Sequence, residues 1–400
     1  MSDTDYPLRG ITVLDLGQIY QGPYCGFLLA MGGAHVIKIE PPGGEPIRFR
    51  ADSQGGTSLP LALLNSNKQG MTLDFKNAQG KEVFLRLVDQ ADVVLENFAP
   101  GVMDRLGLGA EVLRQRNPRL IYASGSGYGS SGPYRDYLAM DLTIQAMSGM
   151  MSVTGFEDGP PVKAGPAVAD FLGGTHLYAA IVTALLRRER TGEGATVETA
   201  MLDAAYPTLA SNLGLMADLK GPPPRTGNSH GGKTMGPYSV YPTRDGYVSI
   251  ICVKDEHWRS LAKVMGRPEL GDHPDYNTHA TRMPHMDEID DMITAWSSQL
   301  TKDEVFALSR EHRFPAAPVR DLVEVTNDPH LHQRGMLKRV QHPELGEVVL
   351  PNTPLRFADL PPLPLQFNPK LGEHNRQVVQ EMLGMPEEEF ARLKAAGAFG

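Results

Sequence analysis

Residues 11–40, ITVLDLGQIYQGPYCGFLLAMGGAHVIKIE, decide the fold of this chain. Residues 11–16 are an apolar run with the length of a buried strand. Residues 22–31 are typical of a helix, and Gly32 and Gly33 supply its stop signal. Residues 34–39 form a second apolar run. A strand, a helix and a second strand in direct succession predict a βαβ unit, and therefore a parallel sheet.

The same alternation continues beyond this stretch. The patterns predict strands at 71–74, 92–95, 120–124 and 197–199, and helices at 78–90, 165–190 and 202–219. A stiff Lys-Gly-Pro-Pro-Pro-Arg linker at 220–225 is followed by a predicted hairpin (238–241 and 247–253) and amphipathic helices at 257–265, 286–299 and 302–310. The last part contains a Pro-rich passage, 350–369, and a helix at 374–383. The predicted fold class is α/β, with a smaller α+β domain at 226–325 between segments 1–220 and 326–400.

Composition excludes several classes of function. The 400 residues carry 38 basic and 47 acidic side chains, a net charge of −9, which lacks the basic footprint of a nucleic-acid-binding protein. Only Cys25 and Cys252 are present, too few for a disulfide scaffold or a zinc ribbon. The start has no signal-peptide pattern, and no apolar run reaches the roughly 18 residues of a membrane span. We expect a cytoplasmic protein with no nucleic-acid or membrane partner.

Three motifs suggest chemistry that the surrounding sequence does not support. Gly127-Tyr-Gly-Ser-Ser-Gly132 has dinucleotide-fingerprint spacing, but Pro133 follows and no helical pattern begins there, so we predict a glycine-rich turn. Cys25 has apolar neighbours, which favour a packed thiol over a nucleophile. The histidines are scattered among turn residues without a ligand pattern, so we expect no metal site.

Asp170 lies at the start of the long predicted helix, in Val-Ala-Asp170-Phe-Leu-Gly-Gly. Spacing alone favours an N-cap aspartate, whose side chain accepts hydrogen bonds from first-turn amides. The same position suits an oriented, ionised carboxylate nucleophile. The residues by themselves leave both interpretations open.

Several longer motifs together resemble the class III CoA-transferase family, also called the CaiB/BaiF type, over nearly the whole chain. They include Gly22-Pro23 with Gly32-Gly-Ala-His-Val-Ile-Lys-Ile-Glu40, then Asn65-Ser-Asn-Lys68, Glu96-Asn-Phe-Ala-Pro-Gly101, Thr191-Gly-Glu-Gly194, Asp328-Pro329 and Leu371-Gly-Glu-His374. The resemblance implies a Rossmann-like large domain whose parallel sheet is built from both chain ends, a small domain, and an interlocked ring homodimer.

The resemblance also implies an activity and a site. It implies transfer of CoA from an acyl-CoA to a carboxylic acid through a covalent intermediate on Asp170, with CoA as substrate and no permanently bound cofactor. The family's CoA contacts fall on Leu73, Lys76, Asn97, Phe98 and Arg105. We expect Lys38, Arg48, Arg50 and Lys68 to add positive charge in the same half of the chain. Residues 227–236 resemble the family's glycine-bearing lid.

Two other functions are weighed against this one. An α-methylacyl-CoA racemase of the same family needs a second base, and its histidine position is Met140 here, a side chain that cannot transfer a proton. A catalytically silent CoA-binding protein would not need Asp170. The acids are not readable: formyl-CoA transferases have Val-Gln-Ala-Gly-Pro where this chain has Ile19-Tyr-Gln-Gly-Pro23.

Overall fold

The computed structural model describes residues 6–50, 56–231 and 235–400. These residues divide into two compact units. The first contains the residues up to 144, 166–205 and 328–400, and the second contains 145–165 and 206–327. The linker at 220–225, from which the sequence predicts a boundary, lies inside the second unit. The stiff linker is therefore not the boundary between the two units, because residues 145–165 and 206–220 also pack with the second unit.

A six-stranded sheet is the centre of the first unit. Its strands are β1 (Thr12–Asp15), β2 (His35–Glu40), β3 (Gln69–Thr72), β4 (Val93–Glu96), β5 (Ile121–Ser126) and β6 (Ala195–Ala200). All neighbouring pairs are parallel and the order is β3-β2-β1-β4-β5-β6, the doubly wound Rossmann order. The order reverses between β1 and β4, so ligands are expected at the carboxyl ends of those two strands.

Helices cover both faces of this sheet. Up to residue 205 they are α1 (Gln21–Met31), α2 (Leu59–Asn65), α3 (Ala78–Val88), α4 (Val102–Arg105), α5 (Ala110–Arg116), α6 (Asp141–Met147), α7 (Val168–Thr191) and α8 (Met201–Ala205). Leu14 of β1 belongs to a core with α3, whereas its neighbour Val13 belongs to the core with α1 and α7. Successive strand residues point to opposite faces, so each strand contributes to both cores.

The C-terminal segment contributes helices to the first unit, and none of its described residues joins the six-stranded sheet. It contains α15 (Pro329–Gln333), the separate hairpin β10 (Leu337–His342) and β11 (Gly346–Pro351), α16 (Asn375–Leu383) and α17 (Glu387–Ala395). Val378, Val379, Phe390 and Leu393 pack into the same core as α3. The prediction of a sheet built from both chain ends is therefore wrong. In this segment, apolar residues at helical spacing add side chains to one core, and they add no strand to the sheet.

The second unit is α+β. Its strands β7 (Tyr238–Thr243), β8 (Gly246–Ile251) and β9 (Ala316–Pro318) form an antiparallel sheet. Its helices are α9 (Ala210–Leu219), α10 (Asp255–Val264), α11 (His279–Arg282), α12 (Met286–Ser297), α13 (Lys302–His312) and α14 (Leu322–Thr326). Trp258, Leu261, Ile289 and Ile293 pack with the sheet in one core.

Helix α7 is long and apolar enough to cross a membrane, judged by length and composition only. In the structure Leu177, Ile181, Ala184 and Leu185 pack against strand residues of the large sheet. The core of an α/β unit therefore accounts for this apolar face.

Candidate active site

The candidate site lies at the carboxyl edge of the six-stranded sheet. Helix α7 connects β5 to the parallel strand β6, and such a connecting helix begins at the carboxyl end of the strands. Asp170 in the first turn of α7 is therefore at the same edge as the loop after β1 and the residues after β4. The topology brings these parts together although they are far apart in the sequence.

Asp170 is not the cap of α7. The helix begins at Val168. Its N-cap residue is Ala167, whose side chain makes no capping hydrogen bond. The first-turn amide of Ala169 donates instead to Oδ1 of Asp141, at 2.8 Å. The cap interpretation is therefore wrong, because a capping side chain must precede the first helical residue and Asp170 follows it. Asp141 supplies the acceptor, a role that the spacing within one helix could not reveal.

The environment of Asp170 suits a nucleophile. Burial, and then the negative charge of Asp141, raise the pKa of Asp170 to about 6. At neutral pH the group is mostly ionised, yet it is half-buried and so only partly hydrated. A carboxylate that is incompletely hydrated loses little solvation when it attacks a carbonyl carbon, so this environment favours nucleophilic chemistry.

The contribution of Asp141 can be tested through the pH profile. In Asp141→Asn, the amide oxygen can still accept from Ala169, but the like charge is removed and the pKa of Asp170 should fall. We expect the acid limb of kcat/KM to move down by about one pH unit or less. Asp136→Asn, an exposed change in the same segment, is the control. An acid limb that stays in place or moves up would contradict this account.

Two glycines bring α1 close to Asp170. A Cβ on Gly173 would lie 2.7 Å from Nε2 of Gln21, and one on Gly174 would lie 2.6 Å from the Gln21 carbonyl oxygen. The backbone contact leaves no space for a side chain at Gly174, whereas at Gly173 a larger side chain would have to displace the Gln21 amide. The ring of Phe171, next to Asp170, packs on Tyr24 with centroids 4.7 Å apart. The start of α1 thus forms one wall of the site.

The loop after β1 is fixed by side chains from other strands. Asn97, just after β4, accepts from the Gln18 amide at 2.7 Å and donates to the Gln18 carbonyl at 3.1 Å. Glu45 accepts from the amide of Ile19, which has a positive φ of 64°. The crevice between β1 and β4 therefore has a rigid wall, because these bonds hold an otherwise unfavourable backbone conformation.

Three of the expected free cations are committed to buried ion pairs. Lys38 pairs with Glu45 at 2.7 Å, Arg48 with Glu40 at 2.7 Å, and Lys68 with Asp15 at 2.8 Å, and all six side chains are almost fully buried. The prediction that Lys38, Arg48 and Lys68 add positive charge for phosphates is therefore wrong. Their charges are neutralised in a network that supports the loop after β1, and sequence spacing does not show such burial.

Arg50 differs from these three residues. It is exposed, and its guanidinium carbon lies 5.1 Å from the centroid of the Tyr20 ring. The Tyr20 ring in turn packs 6.1 Å from the ring of Phe171, the neighbour of Asp170. Among the four expected cations, Arg50 is the one that a ligand near Asp170 can reach.

The five residues predicted to contact CoA lie at the carboxyl edge but are not equivalent. Leu73 follows β3 and is 1% exposed within the core, so a ligand could reach only its main chain. Lys76 and Arg105 are exposed and form no ion pair with the described residues. Asn97 and Phe98 follow β4 and are half-buried. Because β3 and β4 are three strand spacings apart, roughly 14 Å, only an extended ligand could contact all five residues.

A polar cavity also opens at the ends of β4 and β5. Its volume is about 470 Å³, and Glu96, Tyr122, Ser124, Ser126 and Glu198 are among its lining residues. Burial raises the pKa of Glu96 to about 6. Hydrogen bonds to its carboxylate, including one from the amide of Phe98, act in the opposite direction and lower the pKa. The sequence patterns do not indicate this cavity, because Glu96 is prominent there only as part of a motif. Its place at the end of a strand is the signal that could have found it.

The remaining motifs have structural roles in the described residues. After Gly132 the chain continues in turns, and the next helix, α6, begins only at Asp141. The turn interpretation of the glycine motif is confirmed. Cys25 is fully buried, and burial raises the pKa of its thiol well above the usual range, so it is a packed side chain. Of the expected lid, residues 232–234 lie outside the described residues, and Gly227 donates to the Gly155 carbonyl at 2.9 Å.

The fold and the site together define an α/β protein with an ionisable, half-buried carboxylate at the carboxyl edge of a doubly wound sheet. The family model described as CoA-transferase family III matches residues 8–375. A formyl-CoA:oxalate CoA-transferase of Streptomyces avermitilis is 38% identical over 407 residues, which cover 98% of each chain. A succinyl-CoA–D-citramalate CoA-transferase of Chloroflexus aurantiacus is 36% identical, with 97% of each chain covered.

Solved structures agree with this result. The crystal structure of a CaiB/BaiF family protein from Brucella suis superimposes with a TM-score of 0.84 at 33% identity, covering 94% of this chain and 99% of that one. The chain belongs to CoA-transferase family III. The resemblance found in the sequence is confirmed, and with it the prediction that the protein is a CoA-transferase.

Proposed function

We propose that this enzyme moves CoA from an acyl-CoA donor to a small carboxylic acid through covalent intermediates on Asp170. The observation that carries the proposal is the state of Asp170, a half-buried carboxylate at the carboxyl edge of the sheet whose pKa is raised to about 6 by burial and by Asp141. Such a group is ionised at neutral pH, incompletely hydrated and held on a helix, as a nucleophile must be.

The mechanism conserves the thioester free energy. Asp170 attacks the thioester carbonyl, the C–S bond breaks, and an aspartyl–acyl anhydride and CoA thiolate form. The thiolate attacks the aspartyl carbonyl carbon, and the donor acid leaves as a carboxylate. The acceptor carboxylate then attacks the aspartyl-CoA thioester, and the same steps run in reverse. Because each step exchanges one acyl bond for another, no ATP is needed and no net proton is taken up.

We place CoA along the carboxyl edge, from the main chain of Leu73 and Lys76 to Asn97, Phe98 and Arg105. The support for this placement is that Lys76 and Arg105 are exposed and unpaired among the described residues, whereas the cations beside them are neutralised. An Arg guanidinium binds phosphate through two parallel hydrogen bonds, which gives Arg105 the larger part in holding the nucleotide end.

Arg105→Ala should weaken acyl-CoA binding. Loss of one charge-assisted phosphate contact should raise KM for acyl-CoA by about 10-fold or more, with a smaller change in kcat and with a weaker salt dependence than wild type. The control is Arg190→Ala, an exposed arginine in the last turn of α7, at the opposite end of that helix from Asp170. An unchanged KM in Arg105→Ala would remove this residue from the CoA site.

The relatives named above transfer CoA between different acids, and we propose only the shared class, small carboxylic acids, for this chain. The experiment is a matrix of acyl-CoA donors against carboxylic acids, with the CoA products identified by mass spectrometry. Transfer to at least one acid without ATP is the expected result. Hydrolysis to free CoA as the only reaction would contradict the proposal.

We also propose that two copies assemble as the interlocked ring dimer of the family, in the cytoplasm. Support for the dimer comes from α7, which leaves Phe171 and Leu186 36% and 56% exposed although the helix is apolar. In the proposed dimer, a second copy would cover exposed apolar side chains of this kind. Light scattering after size-exclusion chromatography should give twice the chain mass of 43.6 kDa.

A further inference from the structure

The side chain of Gln21 is buried, and its amide donor makes no hydrogen bond in the described structure. Gln21 is the first residue of α1 and is 2% exposed, and its Nε2 atom has no hydrogen-bond partner in the described structure. Leaving a buried N–H donor unpaired destabilises the folded state. An unpaired group in the wall of an active site therefore requires an explanation.

The position of this amide can be located from two glycines that lie close to it. Nε2 would lie 2.7 Å from a Cβ on Gly173 and 3.0 Å from a Cβ on Gly125, at the end of β5. In a helix the Cα–Cβ direction points back toward the N-terminus, so the space beside Gly173 faces the first turn of α7. Residues 170 and 173 are neighbours on one helix face, roughly 5–6 Å apart at Cβ. The Gln21 amide therefore lies one helical turn from Asp170, against the same face of α7.

We propose that Gln21 donates from Nε2 to the oxyanion that develops on Asp170 itself. This inference rests on the proposed function. When CoA thiolate adds to Cγ of the Asp170 anhydride, a C–S bond forms and the carbonyl electron pair moves to Oδ. That pair returns to form the carbonyl again as the bond from Cγ to the bridging oxygen breaks, and the donor acid leaves as a carboxylate. No proton moves, so a neutral donor suffices.

Two observations favour this role over a purely structural one. The donor is unpaired when Asp170 is a free carboxylate, so it does not stabilise the starting state. Preorganised donors of this kind accelerate a reaction because they meet charge only in the transition state. Burial is also compatible with the role, since the oxygen that receives the bond belongs to the enzyme and does not arrive with the substrate.

Gln21→Met tests the proposal, because methionine has a similar shape and no donor. After rapid mixing with acyl-CoA, intact-protein mass spectrometry should show the CoA adduct on Asp170 forming about 10²-fold more slowly than in wild type. The dissociation constant for acyl-CoA should not change. The melting temperature should be equal or higher, because an unpaired buried donor has been removed. Gln79→Met on α3 is the matched control, since that glutamine also has a buried unpaired side-chain atom.

Each outcome decides the matter. An adduct that forms within about twofold of the wild-type rate, or a loss of rate that accompanies a lower melting temperature, would overturn the role of Gln21. If Gln21→Met does not fold, the isosteric Gln21→Glu replaces it. A second carboxylate beside Asp170 should slow the adduct and move the acid limb of activity to higher pH, and normal behaviour would again overturn the proposal. A wild-type enzyme that turns over without any CoA adduct contradicts the covalent mechanism instead.

Discussion

Asp170→Asn should lose CoA transfer by at least about 10⁴-fold while keeping its fold and its affinity for acyl-CoA. The amide cannot attack a thioester, so neither the anhydride nor the aspartyl-CoA thioester can form. Substrate affinity should remain because the proposed CoA contacts lie in the segments after β3 and β4 and on α4, outside α7. Steady-state transfer rates and equilibrium binding of acyl-CoA are the two measurements. Residual transfer within about 10-fold of wild type would remove Asp170 from the nucleophile role.

The same variant should be more stable than wild type at alkaline pH. The pKa of Asp170 is raised from 3.8 to about 6 in the folded protein, mainly by burial, so above pH 6 its ionisation destabilises the folded state. As pH falls from about 6 toward 4, the folded state takes up the proton and the penalty disappears. Melting temperatures of Asp170→Asn and wild type should therefore differ most at pH 8 and converge near pH 4.

A matched control separates this effect from a general change at helix starts. Asp303 lies in the first turn of α13 and is exposed, so Asp303→Asn should leave transfer unchanged. It should also lack the alkaline gain in stability, since no burial opposes its charge. A gain of the same size in both variants would show that burial of Asp170 is not the cause.

The sequence predicts the large sheet well because strand and helix periodicities differ clearly there. The predicted strands at 11–16, 34–39, 92–95 and 120–124 all coincide with observed strands. The predicted helix at 202–219 is instead α8, a 3₁₀ turn and α9, because Pro207 has no backbone N–H to continue the helical hydrogen bonds.

Helix α17 was missed although its signals are strong. Pro386 precedes three glutamates in the first turn, Arg392 and Lys394 lie in the last turn, and Gly397 follows. The hairpin of β10 and β11 was missed for another reason. The two strands pair from Leu337 opposite Pro351 to His342 opposite Gly346. The alternation of apolar and polar residues on each strand is too weak to distinguish it from a loop.

The site was less predictable than the fold. Only the family resemblance indicates Asp170 as the nucleophile, because local spacing favours a cap. Lys38 and Lys68 illustrate the general difficulty. A lysine in an apolar strand is indistinguishable in sequence from an exposed one at a strand end, and only the fold shows Glu45 and Asp15 beside them. The unpaired donor of Gln21 likewise depends on Gly173 and Gly125, far away in the chain.

The enzyme should not racemise 2-methylacyl-CoA. Because a second base is absent, the rate of α-proton exchange should be at least about 10³-fold lower than the rate of CoA transfer. Racemisation needs two acid/base groups on opposite faces of the α-carbon. Met140, where the racemase relatives have histidine, immediately precedes α6, is 66% exposed and cannot carry a proton. Asp141 does not replace it. Its carboxylate is bound to the first-turn amide of Ala169, on the same side as Asp170, whose pKa it raises.

The measurement is deuterium incorporation. (R)- and (S)-2-methylacyl-CoA are incubated separately with enzyme in D₂O, and the α-proton signal is followed by NMR, with Asp170→Asn run in parallel for the background rate. Retention of both the α-proton and the configuration over many transfer turnovers is expected. Fast exchange with loss of stereochemistry would mean that a second base exists.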